Sequence, residues 1–158
     1  MDFKENQNTG TMDIIEKHRF DEGALADFME ENVDQFEGPL SIEEFKGGQS
    51  NPTYLIKSNS QSYVLRKKPP GKLLKSAHAV EREYRVITAL RNTEVPVPKT
   101  YALCEDTKVI GTAFYLMEFK DGRVFWDPTM ANSSAEEALG VYSSMNHTLA
   151  KLDSVDPI

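Results

Sequence analysis

Hydrophobic positions along this chain change their spacing several times, and each change marks an element. Leu25, Phe28, Met29 and Val33 recur at three-to-four spacing behind Asp21, a residue type that caps helices, so a helix is expected from Asp21 toward Gly38-Pro39. The runs Leu40–Lys46, Thr53–Lys57 and Ser62–Lys67 then read as an antiparallel meander, with Ser58-Asn59-Ser60-Gln61 turning the last two. Pro69-Pro70-Gly71 breaks the chain, and Ser76–Arg91 is the strongest helical segment before Val95-Pro96-Val97-Pro98 forbids more. Thr100–Leu103 and Thr112–Phe119 add two strands, joined by a polar turn through Glu105 and Asp106. Ser134–Leu152 is a last amphipathic helix, with Ser134 and Glu137 at capping-box spacing. The pattern predicts an α+β fold: a sheet of about five strands, a helix between strands three and four, and further helices at either end. Met1–Met12 is polar and reads as a disordered arm.

On a helical wheel, Val80, Tyr84, Val86, Ile87 and Leu90 share one arc of the segment SAHAVEREYRVITALR, and Glu83 falls in its middle. Glu81, Arg82 and Arg85 fall opposite. Glu83 is thus the acid driven inward, and an inward carboxylate needs a partner. The strand YVLRKK offers one, because alternate residues face opposite sides: with Val64 inward, Arg66 reaches Glu83 and Lys67 is left to solvent. Upstream lies FKGGQSNPTYLIK, whose Gly-Gly before Ser-Asn-Pro fits either a simple hairpin turn or a phosphate-holding loop. An Arg-Glu pair is equally readable as a structural bridge or a ligand clamp. Taken in order, a glycine loop, a strand cation and a helix glutamate follow the logic of a kinase-type nucleotide lobe.

With 25 acidic against 18 basic residues, the net charge of -7 argues against nucleic acid and anionic membrane surfaces as partners. The single cysteine, Cys104, reads as a small core residue, and His18, His78 and His147 lack metal-ligand spacing. No apolar run approaches the roughly 20 residues of a membrane span, and the start MDFKENQNTG is not signal-like, so a cytoplasmic location is expected.

The segments GGQSNPTYLI, YVLRKKPPG, AHAVEREYRVITAL, VPVPK and FYLMEFKDGRVFWDP together resemble the N-terminal lobe of the aminoglycoside phosphotransferase-like kinases. Within that family the likeness is to the phosphotransferase domain that some larger proteins carry fused to an acyl-CoA dehydrogenase. The resemblance runs from about Phe20 to Pro157. It implies a protein-kinase-like N-lobe over 20–120, a flexible arm over 1–19, and an inter-lobe linker with the first helix of a C-lobe over 121–158. It further implies that Gly47, Gly48, Gln49, Ser50 and Asn51 form the nucleotide loop, with the Ser50 and Asn51 amides near phosphate. Arg66 stands where many relatives carry Lys, with Glu83 as its ion-pair partner; Arg keeps the charge but changes the geometry to a fork. Met117, Glu118, Phe119 and Lys120 would be the inter-lobe linker whose backbone meets the adenine edge. ATP and Mg2+ are the implied cofactors, and a small hydroxyl compound, a hydroxyacyl-CoA by the fused-domain analogy, is the implied acceptor.

Relatives supply the catalytic acid and magnesium ligands from a His-Gly-Asp motif followed by Asn and from a later Asp, a pattern absent after Gly122. Two readings follow. One is the nucleotide-binding half of an ATP-dependent phosphotransferase whose catalytic half lies elsewhere, through a fragment or a split gene. The other is a degenerate, non-catalytic lobe that binds nucleotide or a partner, using the RVFWDP aromatics and an uncovered final-helix stripe of Leu139, Tyr142, Met145, Leu149 and Leu152. For Trp126, packing is the simpler role.

Overall fold

A computed structural model describes residues 9–47, 50–69, 71, 78–125 and 127–156. Of the positions singled out in the sequence, Gly48, Gln49 and Trp126 lie outside the described residues, as does the start of the helix expected from Ser76. Ten elements matter: β1 (Thr11–Met12), α1 (Glu22–Asn32), β2 (Ser41–Phe45), β3 (Thr53–Lys57), β4 (Ser62–Lys67), α2 (Val80–Leu90), β5 (Thr100–Cys104), α3 (Thr107–Ile110), β6 (Phe114–Glu118) and α4 (Ala135–Asp153). The capping signals work as the side chains suggest. Asp21 accepts from the Ala24 amide at the start of α1, and Ser134 accepts from the Glu137 amide at the start of α4.

The strands form one antiparallel sheet in the order β1-β2-β3-β4-β6-β5, six strands rather than about five. The extra strand comes from the polar N-terminal segment. Thr11 and Met12 pair with Phe45 and Glu44, and a 3-10 turn follows at Glu16–His18, so residues 11–18 are tied down rather than part of a free arm. Backbone hydrogen bonds to an open sheet edge need no apolar side chains, which is why composition concealed this strand. The turn expected at Glu105-Asp106 is instead the cap of the one-turn helix α3, with Asp106 accepting from the Lys108 amide and Gly111 closing it at a left-handed φ of 87°.

Both faces of the sheet are covered. On one, Leu25 and Met29 of α1 and Val33 at its C-cap pack with Ile110 of α3 against Tyr54, Ile56, Tyr63, Leu65, Phe114 and Leu116. Cys104 is buried in this cluster, as expected. On the other, α2 sets Val80, Tyr84 and Ile87 against Tyr115, Leu103 and Met117. Val86, placed by the wheel in the buried arc, is 53% exposed: it sits at the arc's edge, and a helix lying on a sheet buries only the middle of such an arc.

Candidate nucleotide site

Strand β4 decides where the two adjacent cations go. Its register pairs Arg66 with Tyr115 and Lys67 with Phe114 on β6, and cross-strand partners share a face. Arg66 therefore lies beneath α2, where its Nε stands 3.0 Å from Glu83 Oε2 and its Nη2 donates to Glu83 Oε1 at 3.4 Å. The side chains are 29% and 36% exposed, so the pair opens partly to solvent. The Nε–H attracts Glu83 by charge but is not aimed at it, and by hydrogen-bond geometry this buried nitrogen stays unsatisfied.

Glu83 is the centre of a wider set. Its Oε1 also accepts from Asn51 Nδ2 at 3.1 Å, and its Oε2 accepts from Tyr115 Oη at 3.1 Å. Glu83 thus accepts from three side chains, those of Arg66, Asn51 and Tyr115. Burial, reinforced by Glu83 and opposed by Arg66, pushes the Tyr115 phenol well above its ordinary value, so Tyr115 remains a donor. Asn51 is buried, and its Oδ1 lies 2.8 Å from His78 Nδ1 at the foot of α2. The side chain of Asn51 thus turns toward α2. Pattern reading found Arg66 and Glu83 but missed Asn51's inward turn, His78 and Tyr115. Tyr115 carried a usable signal, since it alternates with the inward Met117 on the same strand.

The remaining acids and cations on α2 correct the wheel. Glu81 is not free in solvent: its Oε1 accepts from Lys68 Nζ at 2.6 Å, and although burial pushes its carboxyl up, the Lys68 ammonium more than offsets this and holds it below the usual range.

Lys67 overturns the expectation of an outward cation, being 3% exposed. Its Nζ lies over the rings of Phe20 and Tyr54, at 4.8 and 5.8 Å from their centroids. Burial lowers its pKa while the Glu44 carboxylate acts in the opposite sense. Glu44, also buried, accepts from His18 Nδ1 at 2.6 Å and from the Ile15 amide at 3.2 Å. The reason is coverage: because α1 and residues 11–18 close the second face, a residue opposite Arg66 has no solvent to reach.

At the far end of β6, the Glu118 amide donates to Lys99 O at 2.8 Å, and Glu118 Oε2 accepts from the Lys99 amide at 3.2 Å. The Glu118 amide is thereby committed. Lys120 Nζ donates to Glu118 Oε1 at 2.7 Å and, against some burial, holds that carboxyl below its usual range. The Phe119 ring stacks on Phe45, centroids 6.4 Å apart and planes 23° off parallel, so the strand entering the glycine loop touches the strand leaving the sheet. Met117 packs half-buried beside Tyr115 under α2. Arg66, Glu83, Asn51 and Tyr115 are thus joined in one network, while Met117 to Lys120 lie along the neighbouring strand end.

Among the described residues, no cluster of three or more His, Cys, Asp or Glu is disposed to hold a metal ion, and no helix is long and apolar enough to cross a membrane.

Comparison with known proteins places the chain in a family. The chain is 51% identical over 151 residues to a probable acyl-CoA dehydrogenase of Arabidopsis thaliana, covering 90% of this chain and 18% of that protein. It is 41% identical over 155 residues to acyl-CoA dehydrogenase family member 11 of Homo sapiens, covering 94% of this chain and 20% of that one. The chain thus spans about a fifth of the length of these relatives. The crystal structure of an aminoglycoside phosphotransferase candidate from Ralstonia eutropha superposes with a TM-score of 0.75 at 49% identity, over 87% of this chain and 39% of that one. A model for the phosphotransferase enzyme family matches residues 41–158, which take in the glycine loop, both partners of the Arg66–Glu83 pair and α4; the chain belongs to that family.

Proposed function

We propose that this chain is the nucleotide-binding lobe of an ATP-dependent phosphotransferase acting on a small hydroxylated acceptor. The observation that carries the reading is the Arg66 guanidinium, 29% exposed and held by Glu83, which also binds Asn51 of the expected nucleotide loop. Triphosphate oxygens suit the partly open guanidinium fork. In this reading the peptide groups of Gly47 to Asn51 meet the phosphates, Arg66 neutralises charge on them, and the backbone of Phe119 and Lys120, with the Glu118 carbonyl, meets the adenine edge.

Phosphoryl transfer rests on positioning and charge neutralisation, and Mg2+ bound with the nucleotide supplies part of the latter. The chain's own share is to hold the phosphates and exclude slack in Arg66, which the donors around Glu83 achieve. No residue described here is assigned as the acid that orients the acceptor hydroxyl or as a magnesium ligand; we place those groups outside these 158 residues. The naming of the relatives as acyl-CoA dehydrogenases supports a hydroxyacyl-CoA as acceptor.

A second reading, a non-catalytic binding module, is favoured by the stripe on α4, where Leu139 and Leu149 are 68% and 64% exposed. Isothermal titration of the chain with ATP and Mg2+, beside Arg66→Ala, tests the main reading. Binding that the variant loses by tenfold or more is expected. Binding equal in both chains would remove Arg66 from the site and the reading with it.

A further inference from the structure

The phosphate loop and the helix bearing Glu83 are separate in sequence, yet one pair of side chains bridges them. The direction of each hydrogen bond in that bridge follows from chemistry. Glu83 can only accept, so the Asn51 amide nitrogen must be the atom facing it at 3.1 Å. That fixes the amide's orientation and turns Asn51 Oδ1 toward His78 Nδ1, 2.8 Å away. An amide oxygen also only accepts, so Nδ1 of His78 carries the hydrogen.

The backbone around His78 points the same way. His78 adopts φ of 60°, a left-handed conformation that a residue with a Cβ enters at a cost, and its carbonyl accepts from the Val80 amide at 2.9 Å. The N-cap of α2 is Ala79, which offers no side-chain cap. The first turn of α2 is therefore held by the left-handed turn at His78 and by the bond from its ring to the buried Asn51.

We propose that Asn51 and His78 form a latch, the His78 Nδ1–H held by Asn51 and Asn51 held by Glu83, that sets the distance between the phosphate loop and α2. Both are positioning residues for the nucleotide: they act through Glu83 and Arg66. Loss of the latch lets α2 and the loop drift apart, Glu83 leaves the guanidinium, and the phosphate contact weakens. This rests on the nucleotide reading, but the hydrogen-bond direction within the latch does not.

Two measurements separate the latch from that reading. Two-bond nitrogen–proton spectra of histidine-labelled chain at about pH 8, above the ordinary histidine value, report the neutral tautomer of each ring, with the His78 signals assigned by their disappearance in His78→Asn. The expected result is Nδ1–H for His78 in the wild type; the Nε2–H form would overturn the latch. Titration with ATP and Mg2+ is then run on wild type, His78→Ala and His78→Asn, with exposed His147→Ala as control. His78→Ala is expected to raise Kd roughly fivefold to tenfold, the worth of one buried hydrogen bond. His78→Asn, whose amide N–H takes the place of Nδ1–H, is expected to restore most of it, and His147→Ala to change nothing. Equal Kd in wild type and His78→Ala, or no rescue by Asn, would overturn the latch even where the nucleotide reading stands. A wild-type chain that is folded and binds no ATP would overturn the nucleotide reading, and the latch is then decided by the tautomer alone.

Discussion

Replacing Glu83 by alanine removes the one acceptor shared by Arg66, Asn51 and Tyr115. The consequences differ among the three. Arg66, 29% exposed, can turn its fork to water and loses little. Asn51 and Tyr115 are buried, and each orphaned donor costs about 1–3 kcal/mol. The vacated space is open to solvent where Glu83 was 36% exposed, so an entering water recovers part of that cost. Taking the low end for both donors gives a net loss of about 2 kcal/mol. Glu81→Ala breaks only the partly exposed pair with Lys68 and should cost about 0.2–1 kcal/mol. In urea titrations followed by circular dichroism, a slope near 2 kcal/mol per molar would separate the two variants by about 1 M in midpoint. Glu83→Gln should recover part of the loss, because its carbonyl oxygen can still accept from Asn51 and Arg66 while its NH2 donates to the Tyr115 hydroxyl, which can accept; the charge attraction to Arg66 is not recovered. Equal midpoints for Glu83→Ala and Glu81→Ala would refute the argument that the donors around Glu83 depend on it.

Tyr54 and Tyr115 have phenols pushed up by burial from an ordinary value of 10, so their share of stability is whole below pH 10 and is lost as pH rises above it. Lys67, lowered from 10.5, raises stability with pH only up to that value, so the slope should be read above it. There, unfolding free energy should fall by up to about 1.4 kcal/mol per pH unit for each tyrosine, and Tyr54→Phe or Tyr115→Phe should flatten the slope measured by urea titration; an unchanged slope in both would refute it. Ser134→Ala removes the acceptor for the Glu137 amide and should cost about 1 kcal/mol by thermal unfolding followed at 222 nm, with Ser134→Asp close to wild type. Leu139→Lys and Leu149→Lys on the uncovered stripe should each shift the stability of this chain by less than about 0.5 kcal/mol; a loss above 2 would mean that the stripe is packed in solution.

Local signals carried much of the architecture into the sequence. The periods of α1, α4 and the inner strands were legible, since each rests on side chains close in sequence and on caps such as Asp21 and Ser134. The Arg66–Glu83 pair was legible because two periodicities, two for β4 and 3.6 for α2, each name one inward charge. Lys67 was misread for an instructive reason: alternation tells which face a side chain takes but not whether that face is wet. Only the docking of α1 over the second face, a long-range contact, decides that Lys67 is dry. His78 and Asn51 were hidden more deeply, as their meeting depends on the path of a loop and an uncapped helix start. Strand β1 left no alternating apolar pattern, because a two-residue edge strand is too short to show one and is held by its backbone.

The family match begins at residue 41, whereas the folding unit begins earlier. Excision at that boundary would strip Leu25, Met29 and Val33 from Tyr54, Ile56, Tyr63, Leu65, Phe114 and Leu116, and would leave Glu44 without His18. What remained would be a sheet with one bare greasy face and an open edge strand, the makings of an aggregate. Anyone grafting this domain into a chimera has to carry residues 11–40 with it, since the family match and the packed unit have different starting points.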